Sequence, residues 1–313
     1  MSFAFESVCD GLEIKTIETT KDSIRQPLLA SSDNMLIPPI GSSVVICGKS
    51  GSGKSTLLAN LMKDGRFYGK SNKAPNGWFD RVFLFSPTAN GDDIQKSLGI
   101  PKRHVFTDLD DAPELLDTII ASQQKKLDSS DGADKVPQYC IIFDDVIGDV
   151  PFMNSKAFTQ CFYQVRHVNC TTFICTQHFK RVPRICRLQA NFIFFFQGSQ
   201  SEVETIVEDF APPRYSKNEF REIVHQSTND RFSFLTINMK VGVEKRFRKN
   251  LNQVIRLSRF SEAKSNKQQT NRSNTFCGAK NKPSDISLKI TSASERIRNQ
   301  NASDEQENGD SNQ

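Results

Sequence analysis

Gly48-Lys49-Ser50-Gly51-Ser52-Gly53-Lys54-Ser55 fits the spacing G-x-x-x-x-G-K-[ST]. Glycines at these positions let successive backbone N–H groups curl round phosphate oxygens, and a helix starting directly afterwards adds a favourable dipole. Lys54 is expected to reach the β- and γ-phosphates of ATP, and the Ser55 hydroxyl to ligate Mg²⁺. Thr56 completes the expected nucleotide contacts. The loop lies between Val44-Val45-Ile46 and Thr56-Leu57-Leu58, the apolar strand and helix start that this chemistry requires.

Two further groups complete such a site. Cys140-Ile141-Ile142-Phe143-Asp144-Asp145 is an apolar strand ending in two acids, of which Asp144 is expected to support Mg²⁺ and Asp145 to activate water. Asp145 is one methylene shorter than the glutamate often found at that place. The strand Thr171 to Cys175 runs into Thr176-Gln177, which sets a neutral amide at the carboxyl edge of the sheet. Ligands of open α/β folds bind there, and Gln177 is suited to bridge a γ-phosphate and the attacking water. A GTPase is excluded: the nearest match to Asn-Lys-x-Asp, Asn281-Lys282-Pro283-Ser284-Asp285, is one residue too long.

Holding these groups in place requires alternating strands and helices. Short runs rich in β-branched and aromatic residues predict strands over 43–47, 81–85, 104–106, 139–143, 171–175 and 192–196, with a late strand over 232–239. Amphipathic runs predict helices over 54–63, 113–127 and 155–168. This alternation predicts an α/β fold with a mostly parallel central sheet and helices on both faces. Cys161, His167, Cys170, Cys175 and His178 crowd together without a Cys-x-x-Cys pair, so no zinc site is expected. The run Phe192 to Phe196 suits a fully buried strand.

The expected organisation is a lead-in over residues 1–40, a core over 41–240, a basic segment over 241–260 and an unstructured polar tail over 261–313. The tail holds 25 Ser, Thr, Asn or Gln and only five large apolar residues, too few to offset ordering entropy. The net charge of +5 is local, since Lys240 to Arg259 alone carries seven basic residues against Glu244. Such a patch suits DNA phosphates or a nuclear import signal around Lys245-Arg246-Phe247-Arg248-Lys249. No run approaches a membrane span and the first residues lack the features of a secretory signal. Eight cysteines without such a signal are expected to be reduced thiols inside a cell.

One stretch also has a familiar order: Arg166-His167 before a strand, Thr176-Gln177 after it, then Pro183, Arg187 and Asn191 as Pro-x-x-x-Arg-x-x-x-Asn before Phe192. Together with the Asp144-Asp145 pair, this resembles the genome-packaging ATPases of large eukaryotic DNA viruses, the poxvirus-like branch of the FtsK and HerA superfamily. The resemblance covers about residues 41 to 200, with Val165 standing where a glycine often precedes Arg-His. It implies a RecA-like P-loop ATPase that acts as a homo-oligomeric ring, each site completed by a neighbour's arginine, and drives double-stranded DNA into a preformed capsid. The nucleus or a cytoplasmic viral factory of an infected cell would be its place, and a capsid protein a partner. Arg184 and Arg187 follow Gln177 on a segment leaving the catalytic edge and are the expected arginine fingers, with Arg166 in reserve. The alternatives are another FtsK/HerA-type DNA motor, or a P-loop kinase of a small substrate with its lid arginines among Lys180, Arg181, Arg184 and Arg187.

Overall fold

The computed structural model describes residues 25–31, 35–88, 93–257 and 288–292. Ten strands form one sheet: β1 (Ser43–Cys47), β2 (Arg81–Phe85), β3 (Val105–Phe106), β4 (Tyr139–Asp144), β5 (Cys170–Thr176), β6 (Phe192–Phe196), β7 (Phe234–Asn238), β8 (Phe247–Lys249), β9 (Gln253–Leu257) and β10 (Leu288–Ser292). Their order is β10-β9-β8-β7-β6-β1-β5-β4-β2-β3. From β6 to β3 all pairings are parallel, whereas β7 to β10 add an antiparallel wing. The expected parallel core is present, extended by hairpin-like returns.

Side-chain alternation explains why both faces are covered. Val44, Ile46, Leu84, Ile142, Phe173, Phe192, Phe194 and Phe196 face one way, onto Leu58 and Leu61 of the helix Lys54–Lys63. Val45, Phe85, Ile141, Phe143, Ile174, Ile193 and Phe195 face the other way. They meet Leu116 and Ile119 of the helix Ala112–Asp128, Phe158 of Lys156–Tyr163, Ile206 of Gln200–Phe210 and Phe220 of Lys217–Thr228. Every residue of β1, β4, β5 and β6 is buried, the pattern of a parallel sheet with two layers over it. The expected helix over 155–168 is shorter: Lys156–Tyr163 is followed by a separate 3₁₀ turn, Val165–His167.

The late basic segment is part of this sheet. Its two strands continue from β7, so the sheet extends past residue 240. Arg248, on β8, is only 1% exposed and donates from Nη2 to the Met35 carbonyl at 2.9 Å; burial pushes its guanidinium down to about 10. The Asn238 amide donates to the same carbonyl at 3.1 Å. Lys249 pairs with Asp230. The expected single cationic surface over 240–259 is therefore divided, because a strand sends alternate side chains to opposite faces. Arg259 lies outside the described residues.

At the chain start, residues 1–24 also lie outside the described residues, while Ile37 and Ile40 of the lead-in are buried and the Gln26 side chain accepts from the Ile40 N–H at 2.7 Å. Most of the expected unstructured tail is likewise outside the described residues. Leu288–Ser292 within it is an exception, an edge strand paired antiparallel to β9. Its Leu-x-Ile-Thr alternation gives a short strand pattern that the polar composition around it conceals.

Candidate active site

The loop after β1 is shaped by close contacts at its first glycine. A Cβ on Gly48 would stand 2.5 Å from the Phe196 Cβ and 2.7 Å from the Ser52 Oγ, so no larger residue fits. Gly53 takes φ 104° immediately before the helix Lys54–Lys63, a conformation that favours glycine. The Gly48 N–H donates to the Thr176 carbonyl at 3.1 Å and the Lys49 N–H to the Gln197 carbonyl at 3.4 Å, which ties the loop between the ends of β5 and β6. Lys54 folds back over it, with Nζ 2.8 Å from the Gly48 carbonyl and 3.0 Å from the Lys49 carbonyl.

The loop fits a polyphosphate. The Ser52 Oγ is buried with no hydrogen-bond partner among the described residues, and the first N–H groups of the helix have no intrahelical acceptor. Lys49, Ser50, Gly51, Ser55 and Thr56 are exposed around it.

Neighbouring strands bring the acids to the same edge. β5 lies between β1 and β4, with Cys47 level with Thr176 and Asp144 level with Cys175. Asp144 ends β4 and is buried. Burial pushes the Cys175 thiol far up; the Asp144 charge adds to this and the Lys54 charge opposes it, so both groups act on this one interior thiol. The chain leaves the strand at Asp145, whose φ of 52° is unusual for a non-glycine residue and whose N–H donates to the Cys175 carbonyl at 3.1 Å. Its carboxylate accepts from the Gln177 Nε2 at 3.5 Å. Ser55 and Asp144 offer hard oxygen donors of the kind Mg²⁺ takes. The elements expected to meet are thus brought together: phosphate loop, Asp144, and an Asp145–Gln177 pair.

The two expected arginine fingers part company. Arg187 is 7% exposed: its Nε lies 2.8 Å from Asp209 Oδ2, its Nη1 donates to the carbonyls of Val182 at 2.7 Å and Lys180 at 3.1 Å, and it lies over the Phe179 ring. The Arg187 guanidinium is thus engaged within its own chain, not exposed as a finger requires. The Arg184 side chain is 72% exposed, with only a long 3.6 Å approach to Asp209. Of Arg166, only its place in the 3₁₀ turn Val165–His167 is described.

Sequence reasoning also passed over Phe232. It was expected to begin a strand, yet β7 starts two residues later and Phe232 sits in the preceding turn with its ring beside Gly53. The Asn229-Asp230 pair just before it was the available turn signal.

A family model described as Poxvirus A32 protein matches residues 41–267, well over half the chain. The chain belongs to the Poxvirus A32 protein family. This family member is an ATPase. No curated protein matches it. Among solved structures, it is similar to the genome packaging NTPase B204 from Sulfolobus turreted icosahedral virus 2 in complex with AMP, at 17% identity and TM-score 0.45, over 67% of this chain and 96% of that one. B204, the DNA-packaging ATPase from Sulfolobus Turreted Icosahedral Virus, is similar at 14% identity and TM-score 0.46, over 67% and 97%. EccC (ATPases 2 and 3) from Thermomonospora curvata is similar at 10% identity and TM-score 0.41, over 64% and 35%. Among the described residues of this family member no helix is long and apolar enough to cross a membrane.

Proposed function

We propose that this chain hydrolyses ATP with Mg²⁺ and uses the turnover to move double-stranded DNA into a viral capsid, working as a RecA-like homo-oligomeric ring inside an infected cell. The meeting of the phosphate loop, Asp144 and the Asp145–Gln177 pair at one sheet edge, in a member of the Poxvirus A32 protein family, carries the reading. Lys54 holds the β- and γ-phosphates. Ser55 and Asp144 hold Mg²⁺, which when bound neutralises charge on those phosphates. Asp145 takes the proton of the attacking water while Gln177 fixes the orientation of the carboxylate and the water. In the basic segment, Lys240, Lys245 and Arg246 are at least partly exposed and serve as DNA phosphate contacts. The deciding measurement is ATP turnover with and without double-stranded DNA. Acceleration by DNA is the expected result; phosphoryl transfer to a small acceptor, indifferent to DNA, would replace this reading with a kinase.

Asp145→Asn isolates the water-activating role. Asparagine keeps the size and the carbonyl oxygen that accepts from Gln177 but cannot take a proton. Turnover should fall by roughly 10²- to 10⁴-fold, with nucleotide affinity within about twofold of the unaltered chain. A loss of binding equal to the loss of rate would remove Asp145 from the chemical step.

Arg184, exposed and weakly held, acts on a neighbour's nucleotide in this reading. Lys54→Ala and Arg184→Ala subunits should each be inactive alone and regain turnover when mixed, because an intact loop then meets an intact arginine. Activity per subunit should rise with protein concentration. Absence of rescue together with activity that is flat on dilution would remove the ring from the mechanism.

A further inference from the structure

We propose that the Phe232 ring is the stacking platform for the nucleobase, a reading that rests on the phosphate-loop assignment above. Sheet order sets the direction. Asp144, Asp145 and Gln177 come from β4 and β5, on one side of β1, while β6 and β7 lie on the other. A nucleotide whose terminal phosphate faces the acids extends its nucleoside toward β6 and β7, and the turn that carries Phe232 leads into β7.

The space there suits a nucleoside. A cleft of about 980 Å³ is lined by Gly53, Thr56, Leu57, Phe196, Phe232 and Asn250, among others, within the range of small-ligand sites. It therefore begins at the phosphate loop itself. The Phe232 Cδ1 stands 3.4 Å from where a Cβ on Gly53 would be, so the ring borders the residue just before Lys54. Asn250 also lines this cleft; its Oδ1 accepts from the Phe234 N–H at 3.2 Å, which leaves its Nδ2 to donate to the edge of a base.

Phe232 is also costly to place as it is. Its φ is 65°, in the left-handed region that bulky residues avoid, and it is 54% exposed. The surrounding turn enforces this: the Ser233 N–H and hydroxyl donate to the Asp230 carbonyl at 3.0 and 2.7 Å, and Asp230 pairs with Lys249. The Arg231 guanidinium lies 4.7 Å from the ring centroid and occupies one face. A base stacked on the other face would bury the ring, and base–aromatic stacking is worth enough to offset such strain.

The test compares equilibrium binding of ADP and of inorganic tripolyphosphate, which has no base, to the full chain and its variants, read by calorimetry. Phe232→Ala and Phe232→Gly should weaken ADP by about tenfold or more and leave tripolyphosphate within about twofold. Glycine accepts a positive φ without strain, so loss of ADP in that variant does not reflect a damaged turn. Phe232→Trp should keep the affinity for ADP and show quenching of its fluorescence when ADP binds. Unchanged ADP affinity in the alanine and glycine variants, or equal losses for ADP and tripolyphosphate, overturns the stacking role. Lys54→Ala should lose both ligands; retention of tripolyphosphate by that variant would instead overturn the phosphate-loop assignment, so the two failures are distinguishable.

Discussion

Replacing Lys54 with alanine is expected to lower ATP turnover by more than about 100-fold and to remove the protection that nucleotide gives against thermal unfolding. The ammonium is already positioned over the loop by the Gly48 and Lys49 carbonyls, so little reorganisation stands between the resting state and contact with phosphate. Such a preorganised charge acts on every negative charge that gathers in the loop, in the ground state and in the transition state alike. The unaltered chain should gain about 2.7 kcal/mol of stability at a nucleotide concentration of 100 times Kd, and Lys54→Ala should show no shift in melting temperature at that concentration. Lys54 is partly exposed and its bonds are to its own loop, so the variant should fold. Wild-type hydrolysis by Lys54→Ala would falsify the assignment of the loop.

Arg187→Ala should destabilise the chain where Arg184→Ala does not. Asp209 has a side chain only 5% exposed and faces Arg187 at 2.8 Å. Removing the guanidinium leaves that carboxylate with only the long 3.6 Å approach of Arg184, and takes the Arg187 donor from the Val182 and Lys180 carbonyls. Breaking one side of a buried ion pair costs about 3–5 kcal/mol, and at about 2–4 °C per kcal/mol for a folded unit of this size the melting temperature should fall by roughly 6–20 °C. Arg184→Ala, at an exposed position, should remain within about 0.5 kcal/mol. Thermal melts of the two variants side by side decide it; an Arg187→Ala variant that melts like the unaltered chain would return Arg187 to the candidates for an exposed catalytic role.

The contrast between these arginines shows what was legible in the sequence. The strand-to-helix setting of the loop was legible because its motif fixes residue type and spacing within eight positions, and the edge positions of Asp144 and Gln177 because the first ends an apolar strand and the second directly follows one. The parallel strands from β6 to β2 were legible for a related reason, being short, apolar and separated by helices. The burial of Arg187 was not legible because its partner, Asp209, lies 22 residues further on in a different helix, a pairing that only packing creates. The basic segment was misjudged because counting charges says nothing of faces: Arg248 turns inward on β8 while Lys249 turns to Asp230. Phe232 was read as strand because its side chain suits a strand and its positive φ leaves no trace in residue type.

The Met35 carbonyl has a consequence for how the chain is made. It accepts hydrogen bonds from Asn238 and from Arg248, the latter 213 residues downstream. On a ribosome, where the amino-terminal part emerges first, this acceptor must wait for its Arg248 donor until almost all of the described core has been synthesised. The antiparallel wing is thus a late, non-local closure that fastens the chain's beginning to its far strands. A fragment trimmed to start at residue 41 would keep the phosphate loop, the acids and Gln177, yet bury Arg248 without this acceptor. Catalytic completeness and folding completeness therefore have different starting points along this chain.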